Sequence, residues 1–480
     1  MSSVTRAPGA STNKGRRQEP FSRVAPLLRA ALLLGSGGGF LLASVLTLTQ
    51  ALRVASGPWW MALAQAHGHV QVYGWAALFV IGVALHFLPR LRGAPLAAPR
   101  LVPWLLCAQV ASLLLRICSQ PLLVAQAPGG PLWRLLLVVS GLLECIALLG
   151  LPLLLFLTSR RGPALATRKA FAGVLPFIAC AFGSLAIASC VNLLNVLAAA
   201  TGGGLVPAAG DDLNVTLGLL GFLVPVALAM SAQSLPMYAG LEAFPRQILW
   251  PLAGVYLVGL VLACVGTDSA LFWSGVPHGI GLSLLGLVIV FFVVVFMRMM
   301  RTRGRLPKRV SVLAPSPAVA AQTYQKQITR EKSAYGPFVA LVASAYLWAM
   351  LGGLLLLVDG GFIVSGAEPL FSLDAMRHSL AVGFITLLIC GIAPRMLPGF
   401  SGGKIASARL VSATLWLGNG AALLRVGSLL IAPAASMLMV GGYSLTSLLF
   451  GLSGPLGLTL VLCLTINLWP ALRSSPAKEL

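Results

Sequence analysis

Apolar runs of about 20 residues follow one another from residue 27 to residue 467, with short polar breaks between them and very little charge inside them. A run of that length crosses the roughly 30 Å hydrocarbon core of a bilayer as an α-helix, which satisfies its own backbone hydrogen bonds in lipid. The pattern predicts twelve spans, at 27–51, 62–88, 101–120, 132–157, 170–198, 213–237, 247–267, 271–297, 336–358, 371–397, 407–431 and 437–467. The longest polar interruption is 298–335. The expected fold class is an all-α integral membrane protein with no soluble domain of useful size.

Superimposed on the spans is an internal repeat. From His69 the pattern His-x4-Gly-x7-Gly-x6-Pro-x3-Gly runs through Gly74, Gly82, Pro89 and Gly93, and it recurs without a gap at His378, Gly383, Gly391, Pro398 and Gly402. A weaker copy has Thr216, Gly221, Ala229, Pro236 and Gly240. The copies also share an aromatic after the first glycine (Trp75, Phe222, Phe384) and a leucine before the proline (Leu88, Leu235, Leu397).

The three copies are spans 2, 6 and 10, each the second helix of four. The expected architecture is therefore three pseudo-symmetric four-helix units, at 27–157, 158–297 and 336–470. A disordered basic tail (1–26), a basic loop (298–335) and a short tail (471–480) complete the chain. The glycines are expected to admit close helix approach, and the Leu-Pro pairs to end each helix.

Charge changes the picture only through its distribution. The net charge of +22 would suggest nucleic acid in a soluble protein. With the amino terminus inside, however, 28 of the 33 basic residues fall on the cytoplasmic side. That is the positive-inside pattern, so no nucleic-acid partner is expected, and the lipid bilayer is the partner the charge describes. The expected location is the bacterial inner (cytoplasmic) membrane, with both termini cytoplasmic. The segment RTRGRLPKR (301–309) reads as an orientation signal with incidental lipid contact. The eight cysteines form no CxxC or CxxCH, which argues against a disulfide framework, a zinc knuckle and covalently attached haem.

Candidate chemistry rests on five histidines. His67, His69, His278 and His378 lie near the outer ends of spans and His86 near an inner end, so His69 and His86, about 25 Å apart along a helix, share no metal. His67 and His69 point to opposite faces. His69 and His378, as repeat equivalents at one depth, are the expected axial pair of a haem, with Arg377 placed to meet a propionate and Asp374 to orient His378. His67 stays open between an auxiliary group, a ligand of another centre and a solvated residue. His278, after a proline at a helix start, is a weaker ligand candidate than a cap. His86 shares its repeat position with Arg395 and Gln233 and reads as an interfacial anchor. Glu144, with Arg116 and Arg134 on neighbouring spans, suggests an ion pair or proton path, and Asn192, Asn195, Gln233, Asn419 and Arg425 are candidates to line a cavity.

The stretches His67-Gly68-His69 with Gly74, and "RHSLAVGFITLLICGIAPRMLPGFSGG" (377–403), resemble the NnrS family of twelve-span bacterial membrane proteins. "SLPMYAG" (234–240) adds a weaker third match. The resemblance implies haem b and copper as cofactors and a link to nitric oxide metabolism and nitrosative stress. Val70 stands where the family has an acidic residue, and Phe400 where it often has a histidine; both weaken the case for copper.

The plan also resembles the catalytic subunit of haem-copper oxidases and nitric oxide reductases, in which histidines of the second and tenth helices hold the low-spin haem. Spans 6 and 7 lack the further metal-binding histidines of those enzymes, which argues against oxygen reduction at a binuclear centre. The expected function is nitric oxide related chemistry or electron transfer, with no catalytic residue assigned. The alternatives are an accessory subunit of a larger respiratory or redox complex, and a transporter whose repeats form a central pathway.

Overall fold

In the computed structural model, residues 21–54, 57–163, 169–265, 275–303, 316–435 and 438–473 are described. Among them are twelve helices long and apolar enough to cross a membrane: Phe21–Ala51, Pro58–Arg92, Pro99–Val124, Gly130–Arg160, Phe171–Thr201, Ala208–Gln233, Arg246–Val265, Gly275–Arg301, Phe338–Val364, Leu373–Ser401, Ala408–Ala432 and Leu445–Arg473, numbered here as spans 1 to 12. Hydropathy alone locates nearly all of their ends within a few residues.

Four ends differ by six residues or more, those at Phe21, Val364, Leu445 and Arg473, and the two starts among them have a local reason. Span 1 begins at Phe21, inside the expected tail, because that side chain is buried against His86 and Phe400. Residues 1–20 and 474–480 of the expected tails lie outside the described residues. Span 12 starts at Leu445 because Met439–Val440 and Tyr443–Ser444 pair as a hairpin. Gly441 and Gly442 form its turn at φ of 58° and 82°, a left-handed conformation that favours glycine. Within the expected loop 298–335, Pro317–Tyr335 is a helix.

Spans 2, 6 and 10, the three repeat helices, are the most enclosed, with 72, 83 and 72% of their apolar windows buried against 28–56% elsewhere. They meet at the centre of the bundle, each touching the other two. Around them pack the neighbours 3–4–5, 7–8–9 and 11–12–1. Spans 8 and 9 approach so closely that a Cβ at Gly279 would lie 2.8 Å from the Gly360 carbonyl oxygen, and one at Gly286 would lie 2.5 Å from that of Gly353. Where lipid supplies no hydrophobic drive between helices, such contact supplies the attraction as dispersion.

The repeat also shows in the backbone. Immediately after His69, Thr216 and His378, the helices widen into π-helical segments, Val70–Ala76, Leu217–Leu223 and Ser379–Thr386; span 1 carries a fourth at Gly35–Phe40. A π turn disturbs the regular hydrogen-bond ladder, so a carbonyl there takes a partner from a side chain. In each of the four a side chain donates to one: His67 Nδ1 to Gly39, Gln109 Nε2 to Tyr73, Tyr256 Oη to Leu220 and Thr386 Oγ1 to Ala381.

At the other end the expectation holds for the third copy, where span 6 stops at Gln233 just before Leu235-Pro236, and is corrected in the other two. Pro89 and Pro398 sit inside their helices, which continue one turn to Gly93 and Gly402. The glycine ends the helix: Gly93, Gly240 and Gly402 adopt left-handed C-cap conformations at φ of 63°, 67° and 70°.

Candidate functional site

A cavity of about 260 Å³ opens between spans 1, 2, 6, 10, 11 and 12. Its walls are mainly apolar, with Leu46, Val72, Leu219, Ile385, Ala421 and Phe450 among them. At its deep end Trp75 Nε1 donates to Thr386 Oγ1 at 3.3 Å, tying span 2 to span 10.

Two imidazoles line this cavity, His67 from span 2 and His378 from span 10. His67 Nδ1 lies 2.9 Å from the Gly39 carbonyl oxygen, and His378 Nδ1 lies 2.9 Å from that of Asp374. A carbonyl oxygen only accepts, so each Nδ1 carries the proton, and in the neutral ring the lone pair is on Nε2. This is the tautomer of a metal-binding imidazole, with the far nitrogen held by a hydrogen bond. The Asp374 carboxylate also stands 2.9 Å from His378 Nδ1, as the four-residue spacing suggests.

Charged groups gather where these histidines enter the bundle. Arg425 of span 11 pairs with Asp374 at 2.6 Å and lies over the Phe450 ring at 4.1 Å. Arg377 pairs with Asp212 of span 6 at 3.0 Å. Both arginines border the cavity.

The expectation that His69 faces His378 is not met. His69 is 4% exposed and turned away from the cavity, with Nε2 at 2.7 Å from both Glu144 carboxylate oxygens on span 4. Two residues turn a helix by about 200°, so only one of His67 and His69 faces span 10, and it is His67. The hydrogen-bond chain beyond His69 continues from Glu144 to Asn192 Nδ2 at 3.0 Å, and from Asn192 Oδ1 to Arg116 at 2.5 Å. The suspected Glu144–Arg116 association therefore exists, with an asparagine between the charges. Arg134 takes no part and is exposed at the end of span 4.

The remaining candidates lie elsewhere. His278 Nδ1 donates to the Ala263 carbonyl at 2.8 Å, a tie between spans 8 and 7 away from the cavity. His86, at the far end of span 2, stacks on Phe400 with 4.1 Å between ring centres. Arg395 pairs with Glu331 of the Pro317–Tyr335 helix at 3.0 Å. Asn419 accepts from Trp348 Nε1 and donates to Ser344, and Asn195 donates to Gly210.

Sequence reading missed Gln65, which borders the cavity, and Gln120, whose Nε2 donates to Gln65 Oε1 at 2.7 Å. The signal was present: both are amides within apolar spans, and Gln65 precedes His69 by one helical turn.

No protein-family model and no curated protein matches the chain. Among solved structures, the chain is similar to a haem-copper terminal oxidase dimer determined by cryo-electron microscopy, with a TM-score of 0.63 at 10% identity over 95% of this chain and 85% of that one. The chain has a haem-copper-oxidase-like fold. At that identity the likeness describes the path of the helices and says nothing of which side chains were kept.

The residue types at the cavity are those that hold a haem. Two imidazoles, each with Nδ1 on a backbone carbonyl, line it from separate helices, the walls are mainly apolar, and Arg377 and Arg425 border it, as a haem with its carboxylates would require. A Cβ at Gly68, which also lines the cavity, would meet nothing within 4 Å, so the backbone beside His67 borders open space.

Proposed function

We propose that this chain is a membrane redox protein that carries one b-type haem between His67 and His378 and serves electron transfer or nitric oxide related chemistry. The observation that carries the reading is the shared cavity of these two histidines, each with Nδ1 hydrogen-bonded to a backbone carbonyl. The haem-copper-oxidase-like fold supports it, and the NnrS resemblance of residues 67–74 and 377–403 supplies the nitric oxide connection.

A bis-imidazole haem supplies a one-electron couple. The chain's own residues would do the rest. The Gly39 and Asp374 carbonyls hold the rings in one tautomer, Asp374 tempers the charge near His378, and Arg377 and Arg425 neutralise carboxylates at the mouth. The apolar walls exclude water, which strengthens every electrostatic interaction inside.

The three repeat helices are best explained as the central members of three four-helix units. The positive-inside distribution supports an orientation with the His67 end of the bundle outside and both termini in the cytoplasm, and the NnrS resemblance supports a bacterial inner membrane.

The test is spectroscopic. Protein purified in mild detergent from haem-replete cells should show a Soret band and a low-spin bis-imidazole signal, both lost in His67→Ala and His378→Ala. Wild-type protein without haem under these conditions refutes the reading.

A further inference from the structure

Gln65 and His69 lie one turn apart on span 2, each about 200° around the helix from His67, with Gln65 also bordering the cavity at one end. Both are gripped from outside the helix. Gln65 donates to the Val206 carbonyl at 2.9 Å and accepts from the Val206 amide at 3.1 Å and from Gln120 at 2.7 Å. Gln120 Oε1 accepts from Arg116 Nε at 3.3 Å, Arg116 donates to Asn192, Asn192 donates to Glu144, and Glu144 closes on His69. The chain of bonds thus leaves span 2 at Gln65, crosses spans 3, 5 and 4, and returns to span 2 at His69. Five of its members, His69, Arg116, Gln120, Glu144 and Asn192, are buried.

We infer that this closed polar loop is a positioning device for the cavity: it sets the rotation of span 2 about its own axis and so aims His67 at the space it shares with His378. Two anchors one turn apart resist rotation better than apolar packing, which is non-directional. Side-chain tips stand about 5 to 6 Å from a helix axis, so a rotation of about 20° carries an imidazole about 2 Å sideways. That exceeds the tolerance of about 0.5 Å expected of a ligating group. The buried charges explain why the loop holds one arrangement, since moving either Glu144 or Arg116 away strands the other in a low-dielectric interior.

The inference rests on the haem reading, and His69→Ala compared with His69→Gln tests it. Glutamine places an amide N–H near the position of imidazole Nε2, so it can still donate to Glu144 but supplies no imidazole. His69→Ala is expected to lower haem affinity by about 10- to 100-fold, the usual effect of losing a group that orients a ligand. It is also expected to split the low-spin signal into more than one species. His69→Gln should restore both properties. Gln65→Ala, which loosens the other anchor without stranding a charge, should change the signal in the same direction by less, and it keeps the test valid if His69→Ala fails to fold. If His69→Gln loses haem as fully as His69→Ala, His69 is itself a ligand and the positioning role is overturned. Variants at both anchors that match the wild type overturn the positioning role alone, whereas a haem-free wild type overturns the haem reading and this inference with it.

Discussion

His67 of span 2 and His378 of span 10 border one cavity, each with its Nδ1 2.9 Å from a main-chain carbonyl oxygen, that of Gly39 for the first and of Asp374 for the second. The two carbonyls differ in kind. Gly39 lies in a π-helical segment of another span, so the ring of His67 depends on how spans 1 and 2 pack. Asp374 is one turn before His378 in the same helix, so that ring is positioned locally.

Asp374→Ala should raise the midpoint potential of a haem at this site. The aspartate carboxylate stands 2.9 Å from His378 Nδ1, and its negative charge favours the oxidised, more positive form. Its loss also frees Arg425, whose positive charge acts in the same direction. A redox titration followed at the haem absorption bands measures the shift; an unchanged or lower potential contradicts the argument.

Glu144→Ala should destabilise the bundle by roughly 3–5 kcal/mol, because it leaves Arg116 buried without its compensating carboxylate. Thermal unfolding in detergent, followed by tryptophan fluorescence, should show a lowered midpoint. An exposed surface glutamate would show almost no change, as the comparison Glu368→Ala should.

Gly383→Ala should cost about 1–3 kcal/mol, since its Cβ would lie 2.5 Å from Cγ of Trp348 and the indole is wedged between spans. Gly399→Ala, in the same span, meets nothing within 4 Å and should be neutral or slightly stabilising, because alanine favours the helix. Comparing the two melting midpoints separates a packing glycine from an incidental one.

Reporter fusions test the orientation. A fluorescent protein that matures only in the cytoplasm should light up when fused after residue 480 or inserted near Gly162, and stay dark when inserted near Gly366. The opposite pattern would invert the bundle and put the cavity's charged mouth on the cytoplasmic side.

Much of the architecture was legible from residue order. Hydropathy located the spans because a helix in lipid needs a certain length of apolar sequence whatever its neighbours are. The repeat singled out the three helices that form the centre, and its last glycine marks a left-handed C-cap in every copy because no other residue adopts that conformation at so little cost. The π-helical segments after His69 and Thr216 had no such signal, since the side chains that donate to their carbonyls come from other spans, as Tyr256 does for Leu220.

The cavity shows where the two sources of information divide. By itself the sequence determined which spans carry histidines, at which depth, and that His67 and His69 take opposite faces, because helix pitch is a local property. It did not determine which of them faces span 10. Reading repeat equivalence as a face-to-face pair chose His69; yet equivalent residues of three helices that meet at one centre need not look into the same cleft. His69 accordingly meets spans 3 to 5 and His378 the cavity beside spans 1, 11 and 12. The rotation of span 2 was left to tertiary contacts, among them the bonds that Glu144, Gln120 and Val206 make to one face and Gly39 makes to the other, and those partners lie between 28 and 141 residues away in the chain.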